Sequence, residues 1–371
     1  MFIVEIILAV AAVWLISGTL LNFSKHPHWY IRAWDFPRTL TAIVAACVAI
    51  LYAGISTQDS LKWLLLSGLA FVITRQLYMI YPYTPAATKT VQQSTKADDG
   101  QRLRILISNV LQNNREYDKW LAIARTSDPD IIVALETDQC WTDALQSLDQ
   151  HYPHKELVPL DNTYGMIFYS RLEFITQPEV CYVVQQDVPS IHATLRLRDN
   201  HAVDIHALHP RPPEPVNAQD SAPRDAELVI LGRQIGERER EQPTIVCGDL
   251  NDVAWSYTTQ LFLRLSKLLD PRMGRGLFSS FNANSRIFRW PLDHVFHSNE
   301  FKLVELRILG HVGSDHFPVL IELSCEPEAR MEQQEPDTHP EDHLNAQEMV
   351  EEQLRRETEG KEEGHLHSKS S

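Results

Sequence analysis

Three runs of apolar residues, 1–21, 39–55 and 61–81, open this chain of 371 residues. Each is about long enough to cross the ~30 Å of hydrocarbon in a bilayer, the middle one at the short limit. Glu5 is the sole charge in the first run. That run has no basic stretch before it and no small-x-small cleavage pattern after it, so it does not read as a signal peptide. Three such runs in succession favour membrane helices over buried soluble ones. Arg75 interrupts the third and is expected to snorkel or to face the other helices. Tyr78, Tyr81 and Tyr83 suit an interfacial aromatic belt. Residues 1–83 are therefore read as a multi-pass membrane domain whose partner is the lipid bilayer. Lys25, Arg32 and Arg38 lie between the first two runs, whereas the second loop has only Lys62, at the very start of the third run. That bias puts the first loop, and with it everything after the third helix, on the cytoplasmic side.

The formal net charge is −15. From 326 to 371 there are 14 acidic and 5 basic residues, a net of −9, which leaves −6 for the rest. That is not the basic surface of a tight DNA binder. The segment 326–371 is poor in large apolar residues and is expected to be an acidic disordered tail. Residues 84–102 are polar and read as a linker. The 5 cysteines show no paired spacing, so neither a zinc site nor a disulfide framework is expected.

Between the linker and the tail, 103–325, short apolar runs alternate with helical spacing. Strands are expected at 103–108, 131–135, 166–169, 191–197, 202–207, 244–247, 294–296 and 319–323. Helices are expected at 117–125, 142–148, 226–237 and 257–265. Many strands with interspersed helices make a layered α/β sandwich with polar residues gathered at strand ends.

Two strand ends carry the chemistry. Thr244-Ile-Val-Cys-Gly248-Asp249-Leu-Asn251 and Gly313-Ser-Asp315-His316-Phe-Pro each join an apolar run to a polar turn. A buried strand fixes the position of side chains on its adjoining turn. Carboxylates, an amide and an imidazole brought together suit a hard divalent cation and an activated water. That is the equipment for hydrolysing a phosphate ester. Glu136 ends another apolar run, where Mg²⁺ or Mn²⁺ would offset the cost of a buried carboxylate. Asp249 and Asn251, two apart, would point to one side if extended. His206 and His209, three apart, would point to opposite faces, which argues against a shared metal. His294 is expected to face away from Asp293.

In order, Ser-Asn109, Ala-Leu-Glu136, His-Ala-Leu-His209-Pro, Gly-Asp249-Leu-Asn251, Leu-Asp293-His-Val-Phe and Ser-Asp315-His316-Phe-Pro resemble the motifs of the endonuclease/exonuclease/phosphatase superfamily. With the apolar runs, the chain resembles its bacterial membrane-anchored branch. The resemblance covers about 103–323 and implies a four-layered α/β sandwich, of the deoxyribonuclease I type, preceded by three transmembrane helices. It implies a bacterial inner-membrane protein that hydrolyses phosphodiesters or phosphomonoesters with Mg²⁺ or Mn²⁺. Glu136 and Asp315 would hold the metal with Asn109 beside them, and a second metal is possible. Asp249 would activate water and Asn251 position it. Asp293 would orient His316, and His209 would meet the scissile phosphate. The resemblance often places the domain on the outer face of the membrane, against the charge bias. Candidate substrates are a lipid headgroup, a nucleotide or a nucleic acid. The alternatives are a nuclease, a lipid phosphodiesterase or, from another class, an inactive membrane interaction module.

The sequence departs from the nuclease pattern at Asp138, which stands two after Glu136 where deoxyribonuclease-like members carry a basic residue. An acidic partner for His209 is not apparent near 162–166. Arg211, Arg224, Arg272, Arg275, Arg286 and Arg289 are candidates for an anion-binding rim.

Overall fold

The computed structural model describes residues 2–56, 59–213, 220–237 and 242–368. Two units divide the chain. The first holds α1 (Phe2–Leu21), the single turn α2 (Trp29–Arg32), α3 (Arg38–Ile55) and α4 (Asp59–Ile80). Three of these helices are long and apolar enough to cross a membrane. Leu8, Ala12 and Leu15 of α1 meet Ala45, Val48 and Tyr52 of α3 and Leu65, Leu69 and Val72 of α4. Their outward faces remain apolar, with Ile7, Ile50 and Leu64 exposed. A buried polar chain ties the helices at one end. Arg38 Nη1 donates to Gln76 Oε1 at 3.0 Å, and Gln76 Nε2 donates to Thr19 Oγ1 at 3.1 Å. Arg75 rests on the rings of Phe23 and Tyr78, a cation–π arrangement that suits a charge at an interface.

The second unit is built on two sheets. The first contains β1 (Arg102–Asn109), β2 (Ile131–Leu135), β3 (His154–Val158), β4 (Met166–Ser170), β10 (Phe301–Ile308) and β11 (Val319–Cys325), in the order β10-β11-β1-β2-β4-β3. The second contains β5 (Glu179–Cys181), β6 (Ser190–Arg196), β7 (Ala202–Leu208), β8 (Thr244–Asp249) and β9 (Asp293–His297), in chain order. Alternate residues of both sheets fill the space between them. Leu103, Ile105 and Ile107 of β1 and Val133 of β2 meet Ile205 of β7, Ile245 and Cys247 of β8 and Val295 of β9 in one core. The opposite parity of the first sheet, Leu106, Ile132 and Ile167, packs under α5 (Tyr117–Ser127) and α6 (Gln139–Leu145) through Trp120, Leu121 and Trp141. On the second sheet, Phe262 of α8 (Tyr257–Ser266) packs tilted against Phe296 of β9 with ring centroids 5.7 Å apart, and α7 (Ala222–Glu237) packs beside α8. Helices therefore cover both outer faces, giving the four layers of an α/β sandwich.

Three strands were not expected from the sequence, β3, β5 and β10, and each is the edge of its sheet. An edge strand lacks a neighbour on one side and needs no continuous apolar run. β3 is half-buried throughout, and β10 is bulged between Leu303 and Glu305.

Two expectations are corrected. The linker assigned to 84–102 belongs to the second unit from Lys89 onward. Val91 is fully buried in the inter-sheet core, and Gln92 N–H donates to Gln333 Oε1 at 2.7 Å. A single apolar residue in a polar stretch is enough to seat it. The tail assigned as disordered instead carries α9 (Pro340–Ser368). Its apolar residues are few but correctly spaced: Ala346, Met349 and Val350 share one face and pack on Val229, Leu261 and Leu265. Arg264 Nε and Nη2 clamp both oxygens of Asp342, each at 2.9 Å. Composition misled because a helix lying on a formed domain needs only one apolar stripe.

Candidate active site

The site residues share the parity of the inter-sheet core and stand at one end of it. In β1 the inward positions 103, 105 and 107 lead to Asn109. In β7 they lead from Ala207 to His209, in β8 from Cys247 to Asp249, and in β9 from Val295 back to Asp293. Register supplies the rest. Asp249 lies directly opposite Asp293, and Leu208 opposite Gly248. Gly248 has φ 140°, and a Cβ there would lie 1.9 Å from the carbonyl oxygen of Leu208. Only glycine lets β8 come this close to β7 at the site.

Asp249 is the hub and is 1 % exposed. Its Oδ2 accepts from Asn109 Nδ2 at 3.1 Å and lies 3.5 Å from His316 Nε2 and 3.8 Å from His209 Nε2. Its Oδ1 accepts the Asn251 N–H at 2.9 Å. On its other side, His316 Nδ1 meets Asp293 Oδ2 at 2.8 Å. Asn109 Nδ2 also donates to Glu136 Oε1 at 2.7 Å, so one neutral amide joins a carboxylate from each sheet. Its Oδ1 accepts the Leu111 N–H at 3.0 Å.

Strict alternation would send Glu136 to the face opposite Leu135. Its backbone instead turns left-handed, φ 60°, and the carboxylate swings to Asn109 and to the Gln112 N–H at 3.3 Å. A non-glycine residue in this region carries strain, which the surrounding hydrogen bonds offset. Asn251 is left-handed as well, φ 50°. The extended Asp249–Asn251 pair expected from sequence is therefore an Asx turn. The Asn251 amide donates to the carbonyl of Pro210 at 3.0 Å, pinning the loop that follows His209.

Burial sets the charges. Burial depresses the imidazole of His209, so it is neutral at pH 7. Burial also opposes protonation of His316, but Asp293 and Asp249 outweigh it and hold the imidazolium up to about 10. Burial pushes the Asp249 carboxyl up, against the pull of His316. Glu136 is pushed up by burial and by Asp315 nearby, with Asn109 and Gln112 resisting.

Two groupings bear on a cation. Oxygen and nitrogen atoms of Asp249, Asp293 and His316 lie within 4.8 Å of one another. With His316 protonated between the two carboxylates, its imidazolium has no lone pair to offer a metal, and its positive charge offsets theirs. Glu136 is different. Its partners are a neutral amide and a backbone N–H, and a second carboxylate, Asp315, lies close enough to raise it. Hard oxygen donors on neighbouring carboxylates fit a hard divalent cation.

His294 faces away from Asp293: its Nδ1 meets Arg272 at 2.7 Å and its Nε2 the carbonyl of Asp252 at 2.8 Å. His206 stacks on His192 with ring centroids 4.3 Å apart, on the face opposite His209. Asp138 caps α6 through the Trp141 N–H and pairs with Arg115 at 2.8 Å. Of the arginine rim, Arg224 and Arg272 are buried. Arg224 holds the carbonyl of Asn251 at 2.6 Å, and Arg272 pairs with Asp270. Arg211 pairs with Asp187 at 2.6 Å. Two participants had no role assigned from the sequence, although Ser314 lies inside one of its motifs. Tyr164 packs on His209 with ring centroids 5.4 Å apart, in the stretch where an acidic partner was sought. Ser314 Oγ donates to the carbonyl of Asn109 at 2.8 Å and accepts the His316 N–H at 3.0 Å.

Residues 100–316 match the Endonuclease/Exonuclease/phosphatase family. This chain belongs to that family. Among solved structures it is similar to an endonuclease/exonuclease/phosphatase family protein from Bacteroides thetaiotaomicron, with 18 % identity, TM-score 0.50, 61 % of this chain and 98 % of that one. It is also similar to one from Beutenbergia cavernae, with 16 % identity, TM-score 0.49, 61 % of this chain and 72 % of that one. D. rerio TDP2 complexed with single strand DNA product aligns at 15 % identity, TM-score 0.49, 61 % of this chain and 100 % of that one. No curated protein sequence matches the chain. The membership identifies the two-sheet domain as a phosphoester hydrolase fold.

Proposed function

We propose that this chain is a membrane-anchored, divalent-metal-dependent phosphoesterase that cleaves phosphodiester or phosphomonoester bonds by in-line attack of water. Residues 1–83 would anchor it as a multi-pass protein of a bacterial inner membrane. The observation that carries the reading is the convergence on Asp249 Oδ2 of Asn109, His316 and His209 from separate elements, at 3.1, 3.5 and 3.8 Å. A buried carboxylate so surrounded is suited to accept a proton from an attacking water. His316, charged and oriented by Asp293, would stabilise negative charge growing on the phosphoryl oxygens. His209, neutral and packed on Tyr164, would donate a hydrogen bond to the same group. Asn251 supports the water indirectly, by fixing the Asp249 carboxylate and the Pro210 loop.

Glu136 and Asp315 would hold Mg²⁺ or Mn²⁺, with Asn109 orienting the Glu136 carboxylate. The bound ion would supply Lewis-acid polarisation of the substrate phosphate. Asp249→Ala, purified as the full chain and assayed on bis-p-nitrophenyl phosphate with Mg²⁺, should lose turnover. Wild-type rates in that variant would sink the mechanism.

A further inference from the structure

Beside His316 stands a loop with an unusual outer surface. Phe281 bridges to both Trp290 and His316. Its N–H donates to the Trp290 carbonyl at 3.0 Å, and the two rings stack with centroids 6.0 Å apart. The Phe281 ring lies 4.9 Å from the His316 imidazole. The base of this hairpin is therefore part of the wall of the site. Its tip carries the sequence Arg286-Ile287-Phe288-Arg289, and all four residues are exposed. Ile287 is 71 % exposed and Phe288 52 %.

The tip is tightly folded. Ser285 N–H donates to the Asn282 carbonyl at 3.1 Å, and Ser285 Oγ accepts the N–H groups of Ile287 and Phe288 at 3.2 and 2.9 Å. Arg289 is held by the Ser285 carbonyl and lies 4.8 Å over the ring of Phe317. The N–H groups of Ser285, Ile287 and Phe288 are thus satisfied within the loop while two large apolar side chains point to solvent.

We infer that the tip at residues 282–289 is a membrane-surface contact that brings the site to phosphate esters held in a lipid layer. The inference rests on the phosphoesterase reading for its second half only. Entry into the boundary between headgroups and acyl chains favours apolar side chains on a backbone with few open polar groups, and basic residues flanking them. Arg286 and Arg289 supply complementary charge for anionic headgroups. Three apolar helices precede the domain, and its second unit begins at Lys89, 9 residues after Ile80 ends α4 (89 − 80). That tether raises the local concentration of lipid around the tip. Single-stranded nucleic acid fits less well, because Ile287 offers no ring face for a base to stack on.

The test places p-benzoylphenylalanine at position 288, and as a control at Arg196 on β6, in the full chain reconstituted in vesicles of phosphatidylethanolamine and phosphatidylglycerol. Irradiation should yield lipid adducts at 288 well above those at 196. A yield at 288 no higher than the control overturns the contact. An oligonucleotide adduct replacing the lipid adduct when single-stranded DNA is added overturns it in favour of nucleic acid. In parallel, the double substitution I287S/F288S should lower the ratio of phospholipid to bis-p-nitrophenyl phosphate turnover ~10-fold or more. An unchanged ratio overturns the link to lipid esters. Lipid adducts at 288, together with a wild-type chain that turns over neither ester, would uphold the contact and overturn the phosphoesterase reading instead.

Discussion

The two ends of the same sandwich treat charge in opposite ways. At the end where β1 begins, a cleft is lined by Arg102, Arg104, Arg171 and Arg198 together with acidic residues. There each arginine has a carboxylate partner. Arg104 Nε meets Glu322 at 2.9 Å, Arg171 pairs with Asp128 at 2.5 Å, and Arg198 pairs with Asp130. Arg171 draws the Asp128 carboxyl below its ordinary range. At the end where β1 stops, Asp249, Asp293, Glu136 and Asp315 gather around the imidazolium of His316, and Asp249 and Asp293 are almost wholly buried. The first end is neutral and complete. The second is over-acidic, and burial alone should make it unstable. Strands of one sheet can therefore carry structural charge at one tip and reactive charge at the other.

The largest break in that comparison should come from removing the hub. Asp249→Asn should lower kcat on a soluble diester by roughly 10²–10⁴-fold, while Glu322→Ala at the other end leaves kcat unchanged. Equal losses in the two variants would erase the distinction. Next is the metal. Stripping divalent ions should abolish turnover, and calorimetry should find Mn²⁺ binding weakened at least ~10-fold in Glu136→Gln. Identical Mn²⁺ isotherms for that variant and wild type would remove Glu136 from the metal site.

A smaller effect concerns pH. His316 is held at about 10 when folded, above its unfolded value of about 6.5. Its contribution to stability is therefore fully present below about pH 6.5 and is lost as pH rises through about 10. Activity that needs the imidazolium should fall over the same alkaline limb. Asp293→Asn should move that limb down by about one unit or more, read from a pH–rate profile. A limb that stays in place would show that Asp293 does not set the charge of His316. Smallest is the structural end itself. Glu322→Ala should cost about 1 kcal/mol in urea unfolding, between exposed and buried pairs. No measurable loss would mean the paired end is decorative as well as unreactive.

Much of this was legible in the sequence because inward-facing parity runs unbroken from core to site. Leu103, Ile105 and Ile107 forecast the direction of Asn109, and the same logic serves His209, Asp249 and Asp293. It also separated His206 and His294 from the site. Parity failed where the backbone turns left-handed. Glu136 and Asn251 leave their expected faces at φ 60° and 50°, and no run of residue types announces that turn. The edge strands escaped because exposure relaxes the apolar pattern that reveals a strand. Val91 and α9 escaped because their seats are surfaces made by residues far along the chain. Tyr164 could not be found for the same reason: its meaning comes from His209, 45 residues later (209 − 164).

The amide of Asn109 reaches Glu136 in its own sheet and Asp249 in the other. Neither sheet alone contains a working set of groups. Separating the two layers at this end by about 1 Å would part the Asn109–Asp249 hydrogen bond while leaving each sheet's own ladder intact. The seam between the layers, rather than any one strand, is then the component most exposed to heat. A series of inactivation temperatures should follow substitutions in the shared core, such as Cys247 or Val295, more closely than those on the outer helical layers.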